Sequence, residues 1–247
     1  MTTQTITRPT TTTTTTDEPI SPRRAARIAG AGYVLIFCLA IFANFTVREG
    51  LVDQADPTAT VANITESIGL FRLGLVAFLA VFVLDVVIAW ALHVVFRGVN
   101  RDLSLLTAWM RIVYTVLLGV ALVFFFQVLH MVGNPDYAAA LGSSQLEAHV
   151  MLALESFNAT WLVGLAAFGV HLVLLGGLVI RSGMVSNALG RLLMVAGAAY
   201  VADTVAHATL SDYTGIAPVM LAVVALPSMI GEGWLALWLL ASRRIER

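Results

Sequence analysis

Six ionisable side chains other than histidine fall inside long apolar stretches of this sequence: Arg72, Asp85, Arg111, Glu155, Asp203 and Glu232. A charge at the centre of a bilayer costs about 2.5–3.5 kcal/mol on insertion scales, so such residues are expected to face a protein interior and pair. At about 1.5 Å of rise per residue, Asp85, Arg111 and Glu232 lie roughly 18–22 Å from the same edge of their stretches, deep enough to meet. Glu155 and Asp203 lie roughly 8–9 Å from that edge and Arg72 is shallower still, which predicts a second, outer layer. Both layers contain opposite signs, so ion pairing is possible in each.

Two spacings sharpen the chemistry. Tyr200, Asp203 and His207 stand at i, i+3 and i+7, placing phenol, carboxylate and imidazole on one helix face. Ser228 and Glu232 share a face, directly after Pro227 and beside Gly231 and Gly233. Proline removes the donor for the carbonyl of Val223, so a bend is expected there. Opened backbone beside an acid suits a binding cavity, and it suits a packing bend between close helices equally well.

The histidines raise a cofactor question. His93 and His171 fall toward one side of the membrane, and His130 and His207 toward the other. Two such pairs on alternate helices are the arrangement of six-helix cytochromes that hold two b-type haems. The inner pair is mismatched in depth, roughly 6 Å against 14 Å from the helix ends. No cofactor is therefore expected, with haem b kept as the alternative. No metal site is expected either: the sequence has no paired Cys–His ligand spacing, no H-E-x-x-H, no G-x-S-x-G and no P-loop.

The elements that must position these residues are membrane helices. The 247-residue chain is 59% apolar and 12% charged, with a mean hydropathy of +0.87, about half the charged fraction of a soluble domain. Net charge is −1, which gives no electrostatic case for nucleic acid as a partner. Six apolar runs, near 28–47, 69–96, 104–132, 149–180, 188–210 and 217–241, are each long enough to cross a bilayer. The expectation is an all-α integral membrane bundle, residues 23–247, after a disordered, threonine-rich tail over 1–22. The fourth run is long enough to project beyond the lipid, and Ser144 with Glu147 fits a capping box at its start. Asp56-Pro57 predicts a cap and first residue of a short surface helix over 58–66. Cys38 lies in an apolar run and is expected as a buried, inert thiol. Ala198, Ala202 and Ala206 form a small-residue face for close packing, within the bundle or between copies.

Arginine placement predicts orientation. Arg8, Arg23, Arg24, Arg27, Arg97, Arg101, Arg181, Arg191, Arg243, Arg244 and Arg247 lie in the tails and alternate loops, against Arg48 alone in the others. The positive-inside rule puts both termini in the cytoplasm of a bacterial inner membrane.

Several ordered motifs resemble one family. They run from Arg27-Ile28-Ala29-Gly30 through Glu66-Ser67, Phe71-Arg72-Leu73-Gly74 and Arg97-Gly98-Val99-Asn100-Arg101. Met110-Arg111-Ile112-Val113, His171 to Gly176, Arg181-Ser182-Gly183 and Leu189-Gly190 follow, then Tyr200 to Asp203 and Gly231 to Trp238. In this order they resemble the bacterial membrane family called domain of unknown function 4386. The resemblance implies a multi-helix inner-membrane protein without an assigned activity. Its motifs include Arg72, Arg111, His171, Asp203 and Glu232, while His93 and His130 stand where apolar or Tyr residues are expected.

Three readings follow. In the first, the charged clusters bind or pass an ion or small solute through a polar cavity. In the second, they only fix helix packing in a structural or regulatory membrane protein. The third is a membrane-embedded enzyme or haem protein using Glu155, Asp203 and His207. The orientation is directly checkable: a reporter active only in the cytoplasm, fused after Arg247, should be active, and the same reporter inserted after Gly215 should be silent.

Overall fold

A computed structural model describes residues 20–241 and Ile245; the threonine-rich stretch 1–19 and Arg243, Arg244 and Arg247 fall outside the described residues. Those described form an all-helical chain without strands. In chain order the helices are α1 (Pro22–Leu51), α2 (Pro57–Glu66), α3 (Ile68–Phe96) and α4 (Arg101–Gly133), then α5 (Pro135–Leu141), α6 (Ser143–Ser182), α7 (Asn187–Thr209) and α8 (Ala217–Ala241). Six of them, α1, α3, α4, α6, α7 and α8, are long and apolar enough to cross a membrane.

These six close into a ring. Each packs mainly against two others, in the order α1, α3, α4, α6, α7, α8 and back to α1. Their outer surfaces carry exposed apolar residues such as Leu73, Val76, Val116, Val163 and Leu237, the surface a lipid solvent requires. The core consists of the inward stripes, with Phe71, Phe78, Phe125 and Phe157 stacked between α3, α4 and α6.

Local chemistry explains most boundaries. Ser21 caps α1 by accepting from the Arg24 N–H at 3.4 Å, followed by Pro22 at the first helical position. Asp56 caps α2 in the same way, accepting from the Ala59 N–H at 2.9 Å, so the short surface helix stands where the sequence places it. Asn100 caps α4 through the Leu103 N–H. The capping box at Ser144 does not form: α6 begins earlier, after Gly142, with no side-chain cap. Gly142 has φ +73°, left-handed backbone that only glycine adopts at little cost. Glu147 instead accepts a hydrogen bond from the Thr58 hydroxyl at 3.1 Å, tying α6 to α2. At 40 residues, α6 is roughly 60 Å long, twice the hydrocarbon thickness, so it does project.

Two features have no counterpart in the apolar pattern. Residues Phe42–Arg48 of α1 are wound as a π-helix, a geometry uncommon outside functional or strained sites. The closest helix contact is a glycine seam: Gly169 and Gly176 of α6 face Gly197 and Gly190 of α7. The seven-residue spacing on both helices repeats the contact two turns apart. The Ala198, Ala202 and Ala206 face makes no such seam; Ala198 and Ala202 are exposed.

A Cβ at Gly169 would sit 2.5 Å from the Gly197 carbonyl oxygen, so nothing larger than hydrogen fits without parting α6 from α7. Gly197→Ala should therefore destabilise by about 1–3 kcal/mol, measured as the thermal unfolding midpoint in detergent. Gly177→Ala, where a Cβ meets nothing within 4 Å, is the matched control and should melt like the parent.

Candidate functional site

All six ring helices place polar side chains toward the centre. The deepest group surrounds Arg111 of α4, which is 1% exposed. Its Nε and one terminal nitrogen donate to Asp85 Oδ1 of α3 at 2.8 and 2.5 Å. The other terminal nitrogen donates to the Tyr33 hydroxyl of α1 at 2.8 Å and points to His171 Nε2 of α6 at 3.4 Å. Tyr33 and Phe168 also lie over the guanidinium carbon at 4.9 and 5.4 Å, favourable cation–π geometry.

His171 is held in one tautomer. Its Nδ1 lies 2.8 Å from the Thr107 carbonyl, an acceptor, so Nδ1 carries the proton. Nε2 then has the lone pair that accepts from Arg111, and the ring is neutral. Both nitrogens are used and the ring stacks on Phe168 at 5.6 Å. This arrangement does not fit an axial haem ligand. His93 is likewise engaged, its Nδ1 2.9 Å from the Ser104 hydroxyl.

Glu232 of α8 was expected to join Asp85 and Arg111. It lies within electrostatic reach of both, but no ion pair forms: among the described residues, Asp85 alone pairs with Arg111. Glu232 Oε1 accepts from the Ser228 hydroxyl at 2.8 Å, and Ser228 Oγ lies 3.1 Å from the Tyr200 hydroxyl of α7. Since Ser228 spends its proton on Glu232, Tyr200 must be the donor in the second bond. The order is Tyr200 to Ser228 to Glu232. Pro227 lies inside α8 without ending it.

The outer layer does not assemble. Arg72 and Glu155 are exposed, and among the described residues neither forms an ion pair with the other or with Asp203. Both lie off the buried stripes of their helices; Arg72 falls beside Phe71, Gly74, Leu75 and Phe78 rather than among them. Asp203 finds other company. Its Oδ1 accepts from the Tyr213 hydroxyl at 2.5 Å and lies 3.7 Å from His207 Nδ1, and the His207 and Tyr213 rings stack. Tyr213 lies in the loop before α8; burial first, then the Asp203 hydrogen bond and charge, push its phenol above the usual range. Tyr200 thus joins its helix mates Asp203 and His207 only by position, and bonds to α8 instead.

Sequence reasoning missed Tyr33 and Arg48. Tyr33 is the one phenol in the apolar run of α1, a signal that was available. Arg48 was counted as a loop residue, yet it reaches across the ring to α6, donating to Asn158 Oδ1 at 3.0 Å and lying over Trp161. Its Nε, together with Asn44 Oδ1 one π-turn earlier, is buried without a hydrogen-bond partner among the described residues. A cavity of about 540 Å³ opens between α4, α5 and α6, lined by Gln127, His130, Tyr137 and His149 among others. It touches none of the Arg111 group. Among the described residues, no cluster of His, Cys, Asp and Glu is arranged to hold a metal ion.

With this geometry in view, the chain matches the family described as Domain of unknown function (DUF4386) over residues 28–242, and it belongs to that family. An uncharacterised protein from Archaeoglobus fulgidus is 27% identical over 170 residues, spanning 69% of this chain and 83% of that protein. No solved structure matches.

The Arg111 group carries a stability prediction. Arg111→Gln leaves Asp85 as a buried, unpaired carboxylate and should cost about 3–5 kcal/mol, seen as lost monodisperse protein after extraction. Asp85→Asn in the same chain removes that charge and should restore much of the yield. A double variant no better than the single one would contradict the pairing.

Proposed function

We propose that this multi-pass membrane protein binds an ion or small solute at the centre of its six-helix ring, with Glu232 as the carboxyl that holds it. One observation carries the reading. Glu232 is 8% exposed and buried in the bundle, yet its hydrogen bond is to a neutral serine and it has no ion pair among the described residues. An ionised carboxylate left so in low dielectric is costly. The charge count agrees: two carboxylates, Asp85 and Glu232, face one guanidinium, and His171 is neutral. The surplus negative charge calls for an exchangeable cation.

The structural reading has support of its own, in the saturated Asp85–Arg111–Tyr33–His171 group. The two readings divide the cluster: that group is the frame and Glu232 the working residue. Haem is not part of the proposal, because both nitrogens of His171 are committed. The arginine distribution further supports a bacterial inner-membrane location with cytoplasmic ends, the lipid bilayer being the one partner the exposed apolar surface calls for.

Thermal unfolding of the purified full chain tests this. Titrating sodium, potassium or acid should raise the unfolding midpoint of the parent, by an amount equivalent to about 2.7 kcal/mol at a hundredfold excess over Kd. Glu232→Gln should flatten that response while still folding. Equal responses in parent and variant would remove Glu232 from the site.

A further inference from the structure

The Glu232 carboxyl sits where the bundle changes from sealed to open. Toward the α8 C-terminus the inward stripe Ser228, Gly231, Glu232, Leu235, Ala236 and Leu239 is buried. There Gly30 of α1 meets α8 so closely that a Cβ would lie 2.9 Å from the Ala236 carbonyl oxygen. Phe96 of α3 stacks on Trp238 at 6.4 Å. Toward the α8 N-terminus the same stripe continues as Ala217, Met220 and Val224, none of them fully buried. The less tightly buried end of α8 is therefore the one that carries Asp203, Tyr213 and His207.

A file of oxygen groups runs toward that end. Tyr200 and Ser228 are hydroxyls in sequence, each able to accept a proton on one side while passing one on from the other. Asp203 is the next acid on the Tyr200 face, one helical turn of about 5.4 Å away, with its side chain 14% exposed. Around Glu232, the groups in electrostatic reach are Tyr33 from α1, Asp85 from α3, Arg111 from α4 and Tyr200 from α7, with neutral His171 from α6 behind Arg111. A metal cation is poorly served there. Sodium-like or calcium-like ions want several oxygen ligands, whereas one serine hydroxyl bonds Glu232 and the positive Arg111 stands close by. A proton needs a single oxygen.

We propose that the cation exchanged at Glu232 is a proton, delivered from Asp203 through one bridging water, Tyr200 and Ser228. This rests on the reading of Glu232 as the ion-holding carboxyl. The transfer balances: Asp203 loses one proton, the water and each hydroxyl accept one and release one, and the Glu232 carboxylate becomes a carboxylic acid. Rotation of the two hydroxyls resets the file.

Infrared spectroscopy of the full chain in lipid nanodiscs, through a pH jump and with sodium exchanged for potassium, tests it. The parent should show the stretching band of a buried protonated carboxyl, lost in Glu232→Gln and indifferent to the choice of metal cation. Asp203→Asn, Tyr200→Phe and Ser228→Ala should keep the band but slow its response to the jump by about tenfold or more. A Glu232-dependent signal that follows sodium or potassium instead overturns the proton while leaving the ion reading intact. No Glu232-dependent signal of either kind overturns both, and relay variants that respond as fast as the parent overturn the path.

Discussion

The fold is organised around the guanidinium of Arg111. A buried arginine must place its N–H groups, and this one spends them on Asp85, Tyr33 and His171, reaching α3, α1 and α6 from α4. These are two ring neighbours of α4 and one helix from across the interior. Van der Waals contact between apolar helices in lipid specifies little, because lipid tails solvate the same surfaces. Directional hydrogen bonds in a low dielectric specify rotation and depth at once. The fixed tautomer of His171 extends the constraint, since Nδ1 must meet the Thr107 carbonyl while Nε2 faces Arg111.

Depth was legible in the sequence and azimuth was not. Counting residues from the helix edges brought Asp85 and Arg111 to one level, and the structure joins them. The same arithmetic put Glu155 and Asp203 at one level and Arg72 a little shallower, but Arg72 and Glu155 are exposed. In a soluble helix the apolar period would have revealed this. In α3 the exposed face carries Leu73, Val76, Val83 and Val86 and the buried face Phe71, Leu75, Phe78 and Val81, so both sides read as apolar and the period is erased. Near helix ends a long charged side chain can also reach the interface unaided, which removes the need for Arg72 to pair. Helix count, the α2 cap and the family motifs were visible because they depend on composition and local spacing. The π-helix of α1 and the glycine seam between α6 and α7 depend on which helices become neighbours, information that lies outside any single segment.

Glu232 and Asp85 show how similar acids at similar depth come to differ. Asp85 receives two charge-assisted bonds from one arginine and is thereby fixed as an anion. Glu232 receives one bond from a neutral hydroxyl. Glu232 therefore depends on the Ser228 hydroxyl and on the field of an Arg111 already bonded to Asp85.

That dependence meets an asymmetry in the backbone. The first and last ring helices, α1 and α8, close the ring, and they carry its main irregularities: the π-wound Phe42–Arg48 segment and Pro227. Both lie on the open side of their helices, away from the tight contact of Gly30 with Ala236 and Leu240. The π-wound segment holds Asn44 Oδ1 and Arg48 Nε buried without a hydrogen-bond partner among the described residues. Proline frees the Val223 carbonyl four residues earlier. The ring is thus closed tightly where Gly30 meets Ala236 and carries its backbone irregularities toward the other end.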